Sequence, residues 1–147
     1  MTQEQKNLLL KDLSRRLLYG VKIFAKYTDG DGLGVKERVG ILCQIDTDRV
    51  LGLHLENEDD YSYLYVSIPE VKPYLFPLNS MTAEQLHELR EMFGFEIEFG
   101  NGFIDFNGRL SYLEMDALFE WLDRHHFDYR ELIPNGLALD ASNLNIY

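Results

Sequence analysis

The run with the greatest variety of chemical groups lies between positions 125 and 130. Two adjacent imidazoles, His125 and His126, come just before the carboxylate of Asp128 and the guanidinium of Arg130. An imidazole supported by a carboxylate can act as a general base, so these four residues are the catalytic candidates. The run has no nucleophile beside a base and no phosphate-binding loop. The alternative is structural, because histidine at a helix end interacts favourably with the helix dipole.

A metal site is not indicated by these histidines. Adjacent residues on a helix point about 100° apart, so His125 and His126 cannot share one ion as an i, i+4 pair does. The glycine-rich run at 29–34 begins like a calcium-binding loop, but its fifth and twelfth positions hold Leu33 and Gly40 rather than oxygen ligands. We therefore expect no metal and no cofactor, and we interpret the glycine-rich run as a hairpin turn.

A second candidate site combines carboxylates with tyrosines. The cluster comprises Glu58, Asp59, Asp60, Tyr61 and Tyr63, with Glu56 and Tyr65 flanking it. Carboxylates this close together can hold a hard cation, or can receive a basic partner beside rigid aromatic contacts. Nothing in the spacing fixes a coordination geometry, so the pattern favours a protein partner, with an ordinary solvated turn as the alternative.

The charge balance limits the class of partner. The chain has 147 residues with 14 basic and 25 acidic side chains, a net charge of −11. Residues 1–73 hold 10 basic and 12 acidic groups, whereas residues 74–147 hold 4 and 13. We expect no direct nucleic-acid binding, because binding through phosphates requires a basic surface. The first 26 residues carry a net +4, which suggests pairing with the acidic half of a second copy in a homodimer.

The expected compartment is the cytoplasm, and no membrane association is expected. The single cysteine, Cys43, allows no intrachain disulfide, and charged residues interrupt the apolar amino terminus. Cys43 lies in an apolar strand pattern, which predicts a buried, inert thiol. The only tryptophan, Trp121, is expected to pack at the edge of the core.

Periodicity predicts the elements that must position these groups. Thr2 and Gln5 form a capping box that begins a helix ending at Tyr19–Gly20. The period of two then predicts four strands, joined by short turns into an antiparallel meander with one face on a core. They lie at 21–27, 39–45, 50–55 and 61–68. In the last strand, alternation predicts Tyr61, Tyr63 and Tyr65 on one side and Leu64, Val66 and Ile68 on the other.

The carboxyl half is predicted to alternate helix and hairpin. Pro69–Leu78 holds three prolines and is interpreted as an extended crossover rather than a central strand. A helix over Ala83–Phe93 should turn Leu86, Leu89 and Phe93 inward. A hairpin should follow around 100–102, then a helix over 112–126. Ser111 and Glu114 form the capping box of this helix, as Thr82 and Gln85 do for the helix over Ala83–Phe93. A short helical turn over 127–132, capped by Asp128, should come next. The whole is one α+β domain, 1–147, with an N-terminal helix, four-stranded antiparallel meander, helix, β-hairpin and long C-terminal helix with a packed tail.

Several segments resemble a known group of proteins. The pieces that match are Leu8–Leu13 leading to Tyr19–Val21, Lys72–Leu75, Ser80–Thr82, and Trp121–Leu122 followed by 125–130 and Gly136–Leu139. They are similar to a family of small uncharacterised proteins from gut anaerobic bacteria and their mobile elements or phages. The resemblance implies no activity, cofactor or catalytic residue, and it implies that mobile-element biology is plausible.

These observations lead to one functional expectation and two alternatives. We expect a non-enzymatic, acidic protein-binding module, such as a regulator or inhibitor, that presents the tyrosine-flanked carboxylates to a basic protein partner. One alternative is a small hydrolase with His125 or His126 as base and Asp128 or Arg130 in support. The other is a self-associating structural protein.

Overall fold

A computed structural model describes most of the chain. The described residues are 1–28, 32, 34–46, 48, 50–55, 62–94, 97–99, 104–105 and 110–147. They form an α+β fold of three helices and a mixed, open sheet of seven strands, with a two-stranded hairpin beside it. The helices are α1 (Gln3–Arg16), α2 (Ala83–Phe93) and α3 (Tyr112–Arg124). The strands are β1 (Lys22–Thr28), β2 (Val35–Ile45), β3 (Val50–Leu55), β4 (Tyr63–Ser67), β5 (Val71–Pro77), β6 (Glu98–Phe99), β7 (Ile104–Asp105), β8 (Phe127–Asp128) and β9 (Leu139–Asp140).

The predicted helix starts are confirmed by their caps. The side chain of Thr2 accepts a hydrogen bond from the backbone N–H of Gln5, whose own side chain accepts from Thr2 N. Thr82 begins α2 and Ser111 begins α3 by the same reciprocal arrangement. These caps satisfy N–H groups that have no partner within the helix, and this is why a four-residue pattern locates a helix start. Gly20, at φ +66°, ends the 3-10 turn that follows α1.

The sheet is larger than the four strands expected. Strands β1 to β4 pair in succession and antiparallel, and β5 joins the other side of β1 to give the order β4-β3-β2-β1-β5-β8. Strands β8 and β9 both pair with β5 in parallel. The hairpin of β6 and β7 is antiparallel, as predicted, although its loop lies outside the described residues.

The expectation that Pro69–Leu78 is a crossover, and not a central strand, is wrong. Strand β5 occupies most of it and lies between β1 and β8. Its prolines are tolerated because each stands where pairing stops: Pro73 is the last residue paired with β1, and Pro77 ends the strand. Beyond Pro73, the Tyr147 hydroxyl bridges β1 and β5. It accepts from Lys22 N at 3.1 Å and donates to Tyr74 O at 2.8 Å.

Two apolar clusters hold the layers together. The first lies between one face of the sheet and both α1 and the carboxyl-terminal segment, and includes Leu9, Leu13, Leu53 and Leu132. The second joins α2, α3 and the end of β5, and includes Leu89, Leu118 and Phe127. The tail is packed where it meets the first cluster, since Leu137 and Ala138 are buried.

Four local predictions differ from the structure. Helix α3 ends at Arg124 rather than His126, and Phe127–Asp128 forms strand β8 instead of a helical turn, because β5 supplies the backbone partners. Leu86 is exposed, although Leu89 on the same helix is buried. Cys43 is exposed rather than buried, because it follows the core-facing Leu42 on β2 and alternation places its side chain on the outer face. Trp121 is packed as expected, 4% exposed.

Candidate functional site

His126 is one of two buried residues among the catalytic candidates, the other being Asp128. His126 is 8% exposed, has a left-handed backbone (φ +60°), and stacks on the ring of Tyr147 with centroids 4.3 Å apart. Its carbonyl accepts from Phe76 N at 2.9 Å, which ties it to β5. Burial, then the positive charge of Arg16 and then His125, lowers the pKa of His126 to about 4. Its imidazole is therefore neutral at neutral pH.

His125 and Asp128 are engaged in local structure. The Nδ1 of His125 lies 2.8 Å from the carbonyl of Trp121, and the two rings stack at 4.0 Å. The Asp128 carboxylate accepts from Leu132 N at 2.9 Å and Ile133 N at 2.7 Å, which closes the turn after β8. The prediction that Asp128 caps this segment holds for its hydrogen bonds, although the segment is a turn rather than a helix. Neither side chain approaches the other as a base and its carboxylate would.

Arg130 belongs to a buried charge network centred on Arg16, here named the Arg16 network. Arg16 Nε lies 2.7 Å from Asp12 Oδ2, and its Nη2 donates to the carbonyl of Phe127 at 2.8 Å. Asp123 lies 3.6 Å from Arg16 Nη2 and accepts from Arg15 Nε at 2.8 Å and from the Tyr129 hydroxyl at 2.9 Å. Arg130 Nε lies 3.4 Å from Asp12 Oδ1. The network thus joins α1 to the end of α3 and the segment after it.

The two ions at the centre of the Arg16 network are removed from water, and this shifts their pKa values. Asp12 and Arg16 are both fully buried. Burial raises the pKa of Asp12, while Arg16 acts in the opposite direction. For Arg16, burial would lower the pKa, but the carboxylates of Asp12 and Asp123 outweigh it and raise the pKa. Because each charge has a partner, the network is a structural link between helices.

Sequence reasoning missed this network, although a signal was present. Leu9, Asp12, Leu13 and Arg16 follow the i, i+3, i+4, i+7 spacing of one helix face, so the two ions share the buried face with the leucines. The basic patch expected over the first 26 residues therefore has fewer cations available at the surface. Arg16 is buried, and Arg15 is bound to Asp123.

The tyrosine-flanked region is only partly described. Glu58, Asp59, Asp60 and Tyr61 lie outside the described residues. Tyr63 and Tyr65 lie on the outer face of β4, 53% and 60% exposed, while Val66 of the same strand is buried on the core face. This is the alternation predicted for them. The ring of Tyr63 makes an edge contact with His54 at 5.8 Å.

A glycine makes room for the second tyrosine. Gly52 on β3 is paired with Tyr65, and a Cβ there would lie 3.4 Å from its ring and 3.0 Å from Gln44 Cβ. Gly52 therefore leaves room on the outer face for the side chains on either side of it, Gln44 on β2 more tightly than Tyr65 on β4. The outer face of β4 thus presents two exposed rings.

Concave regions lie beside α2. One of about 410 Å³ lies along α2 and is lined by Leu86, His87, Arg90, Glu98 and neighbours. The other, of about 310 Å³, lies at the start of α2 beside Phe76, Phe127 and Ser142. None of the four catalytic candidates is among the described lining residues of either cavity.

Comparisons with known protein families, with curated proteins and with solved structures find no match for this chain. Within the described ranges, no group of three histidine, cysteine, aspartate or glutamate side chains is arranged to hold a metal ion. The helices in that part of the chain are too short or too polar to cross a bilayer.

Proposed function

We propose that this protein is a non-enzymatic, acidic binding module, a regulator or inhibitor, that recognises a basic protein partner through the outer face of β4. The observation that carries the proposal is the exposure of Tyr63 and Tyr65 on one face of a single strand. Tyrosine supplies large contact area at small conformational cost, and it is enriched in protein interfaces.

Charge supports the basic character of the partner. The chain has a net charge of −11, and Glu58, Asp59 and Asp60 come just before β4 in the sequence, separated from it by two residues. A field of this sign speeds encounter with cationic surfaces and disfavours anionic ones. The partner is thus a protein with a basic surface rather than a nucleic acid.

The contacts of the catalytic candidates support binding over hydrolysis. His126 is buried with a neutral imidazole, His125 is bonded and stacked on Trp121, and Asp128 is occupied by backbone N–H groups. A hydrolase would need an exposed imidazole with a carboxylate in reach at a cavity. The four catalytic candidates are not arranged in this way.

The test is affinity capture with matched variants. We expect the double variant Tyr63→Thr with Tyr65→Thr to lose the proteins that the wild-type chain retains. The matched control is Tyr112→Thr, which removes a tyrosine that is 88% exposed on α3. Capture that is equally reduced by both changes would contradict a specific role for β4.

Two double variants with reversed charges complete the test. We expect Asp59→Lys with Asp60→Lys to abolish capture, while Glu91→Lys with Glu98→Lys leaves most of it. Both doubles alter the net charge equally, and Glu91 and Glu98 are exposed on α2 and β6. Equal losses would show that net charge alone is responsible, and no loss in either would overturn the proposal.

A further inference from the structure

Strand β4 is at the edge of the sheet. Its paired neighbour among the described residues is β3, and it stands first in the strand order. An edge strand leaves backbone N–H and C=O groups without ladder partners, and these can bond to an extended segment of another chain.

The pairing register shows which backbone groups of β4 point away from β3. Leu55 N donates to Ser62 O, so Leu55 and Ser62 form a hydrogen-bonded pair of the antiparallel ladder. Bonded and non-bonded pairs alternate. The pairs of His54 with Tyr63 and of Gly52 with Tyr65 are therefore non-bonded. The backbone groups of Tyr63 and Tyr65 consequently face away from β3, on the same residues whose rings are exposed.

The available edge has a defined end. The backbone N–H of Ser67, the next residue in the outward series, is bonded to the carboxylate of Glu70 at 2.9 Å, and the Ser67 hydroxyl donates to it at 2.6 Å. The 3-10 turn that begins at Ile68 then leads the chain into β5. An added strand would thus pair with Tyr63 and Tyr65 and stop before Ser67.

We propose that the edge of β4 binds its partner by strand addition, the occupant being an extended, lysine- or arginine-bearing segment of a second protein. The proposal rests on the proposed function and specifies its binding mode. Residues 56–70 contain five acidic side chains and no Lys, Arg or His. A second copy of this chain would bring the same acidic segment to the edge, so charge favours a basic peptide over self-pairing.

The experiment selects ligands from a phage-displayed library of random 12-residue peptides. We expect enriched peptides to combine lysine or arginine with β-branched residues and to lack central proline. Synthetic versions are then titrated by fluorescence anisotropy against wild type, Tyr65→Thr and Tyr65→Pro. Threonine retains the outward N–H that proline removes, and the N–H concerned makes no bond to β3. We expect Tyr65→Pro to bind about tenfold more weakly than Tyr65→Thr.

The outcomes separate binding mode from function. Tight binding to Tyr65→Pro, with loss in Asp59→Lys plus Asp60→Lys, overturns strand addition and leaves the acidic binding function standing. Failure to select any basic peptide overturns both. Dimerisation of the wild type that Tyr65→Pro abolishes overturns the basic occupant in favour of a second copy. Intrinsic fluorescence of Trp121 checks that each variant is folded, and methylation of peptide backbone nitrogens should weaken binding as Tyr65→Pro does.

Discussion

Two regions of this molecule place their polar side chains in opposite environments. In the Arg16 network, ions are removed from water and saturated by partners, so that α1 is fixed to the end of α3. At β4, the tyrosines of a strand that follows an acidic run in the sequence are exposed. The comparison shows that charge in the sequence does not by itself identify a surface, because Asp12 and Arg16 lie fully buried on a helix whose other face is exposed.

The largest expected effect is at the centre of the Arg16 network. Arg16→Met should lower the free energy of unfolding by about 3–5 kcal/mol, because it leaves the fully buried Asp12 without its main partner. Urea unfolding followed by Trp121 fluorescence measures the change. Lys11→Met, on the exposed face of the same helix, should stay within about 0.5 kcal/mol of wild type.

A double replacement sharpens this prediction. Asp12→Leu combined with Arg16→Met removes both ions, so it should recover a large part of the lost stability. If the single change costs under about 1 kcal/mol, the network is not the structural link argued above.

The next effect is on acid stability. His126 binds its proton with a pKa of about 4 in the folded state against an ordinary value of 6.5, so the unfolded chain binds more protons between these values. Stability should therefore fall as pH decreases from about 6.5 to 4, by about 3 kcal/mol from this group. His126→Phe, which keeps an aromatic ring against Tyr147, should lose this part of the pH dependence. Identical slopes in urea titrations of the two proteins would contradict the assignment.

A smaller effect separates an inner tyrosine from an outer one. Tyr147→Phe removes the hydroxyl that bridges Lys22 N and Tyr74 O, and we expect a loss of about 1 kcal/mol. Tyr63→Phe, at an exposed position, should be neutral in the same unfolding assay. Equal costs would mean that the bridge contributes nothing to joining β1 and β5.

The smallest effect on stability is expected on the outer face of β4. Tyr63→Thr and Tyr65→Thr should each change the free energy of unfolding by about 0.5 kcal/mol or less, since both side chains are exposed and threonine suits a strand. Thermal unfolding measures this. A large loss would mean that these rings stabilise the sheet, and their exposure would then not indicate a binding surface.

Local patterns in the sequence predicted local structure well. The capping boxes at Thr2, Thr82 and Ser111 located three helix starts, because a cap requires residues only three apart. The alternation along β4 placed Tyr63 and Tyr65 on the outer face, because strand side chains alternate whatever lies nearby.

What the sequence alone could not decide involved partners distant along the chain. Prolines normally argue against a central strand. Strand β5 forms nevertheless, because its residues pair with Phe127 and Leu139, which are more than 50 residues away in the sequence. Whether Arg16 faces water or Asp123 is settled only when α3 packs beside α1. Short-range periodicity is set by backbone geometry, whereas burial of charge and strand pairing depend on which distant segments meet, and only the tertiary structure determines that.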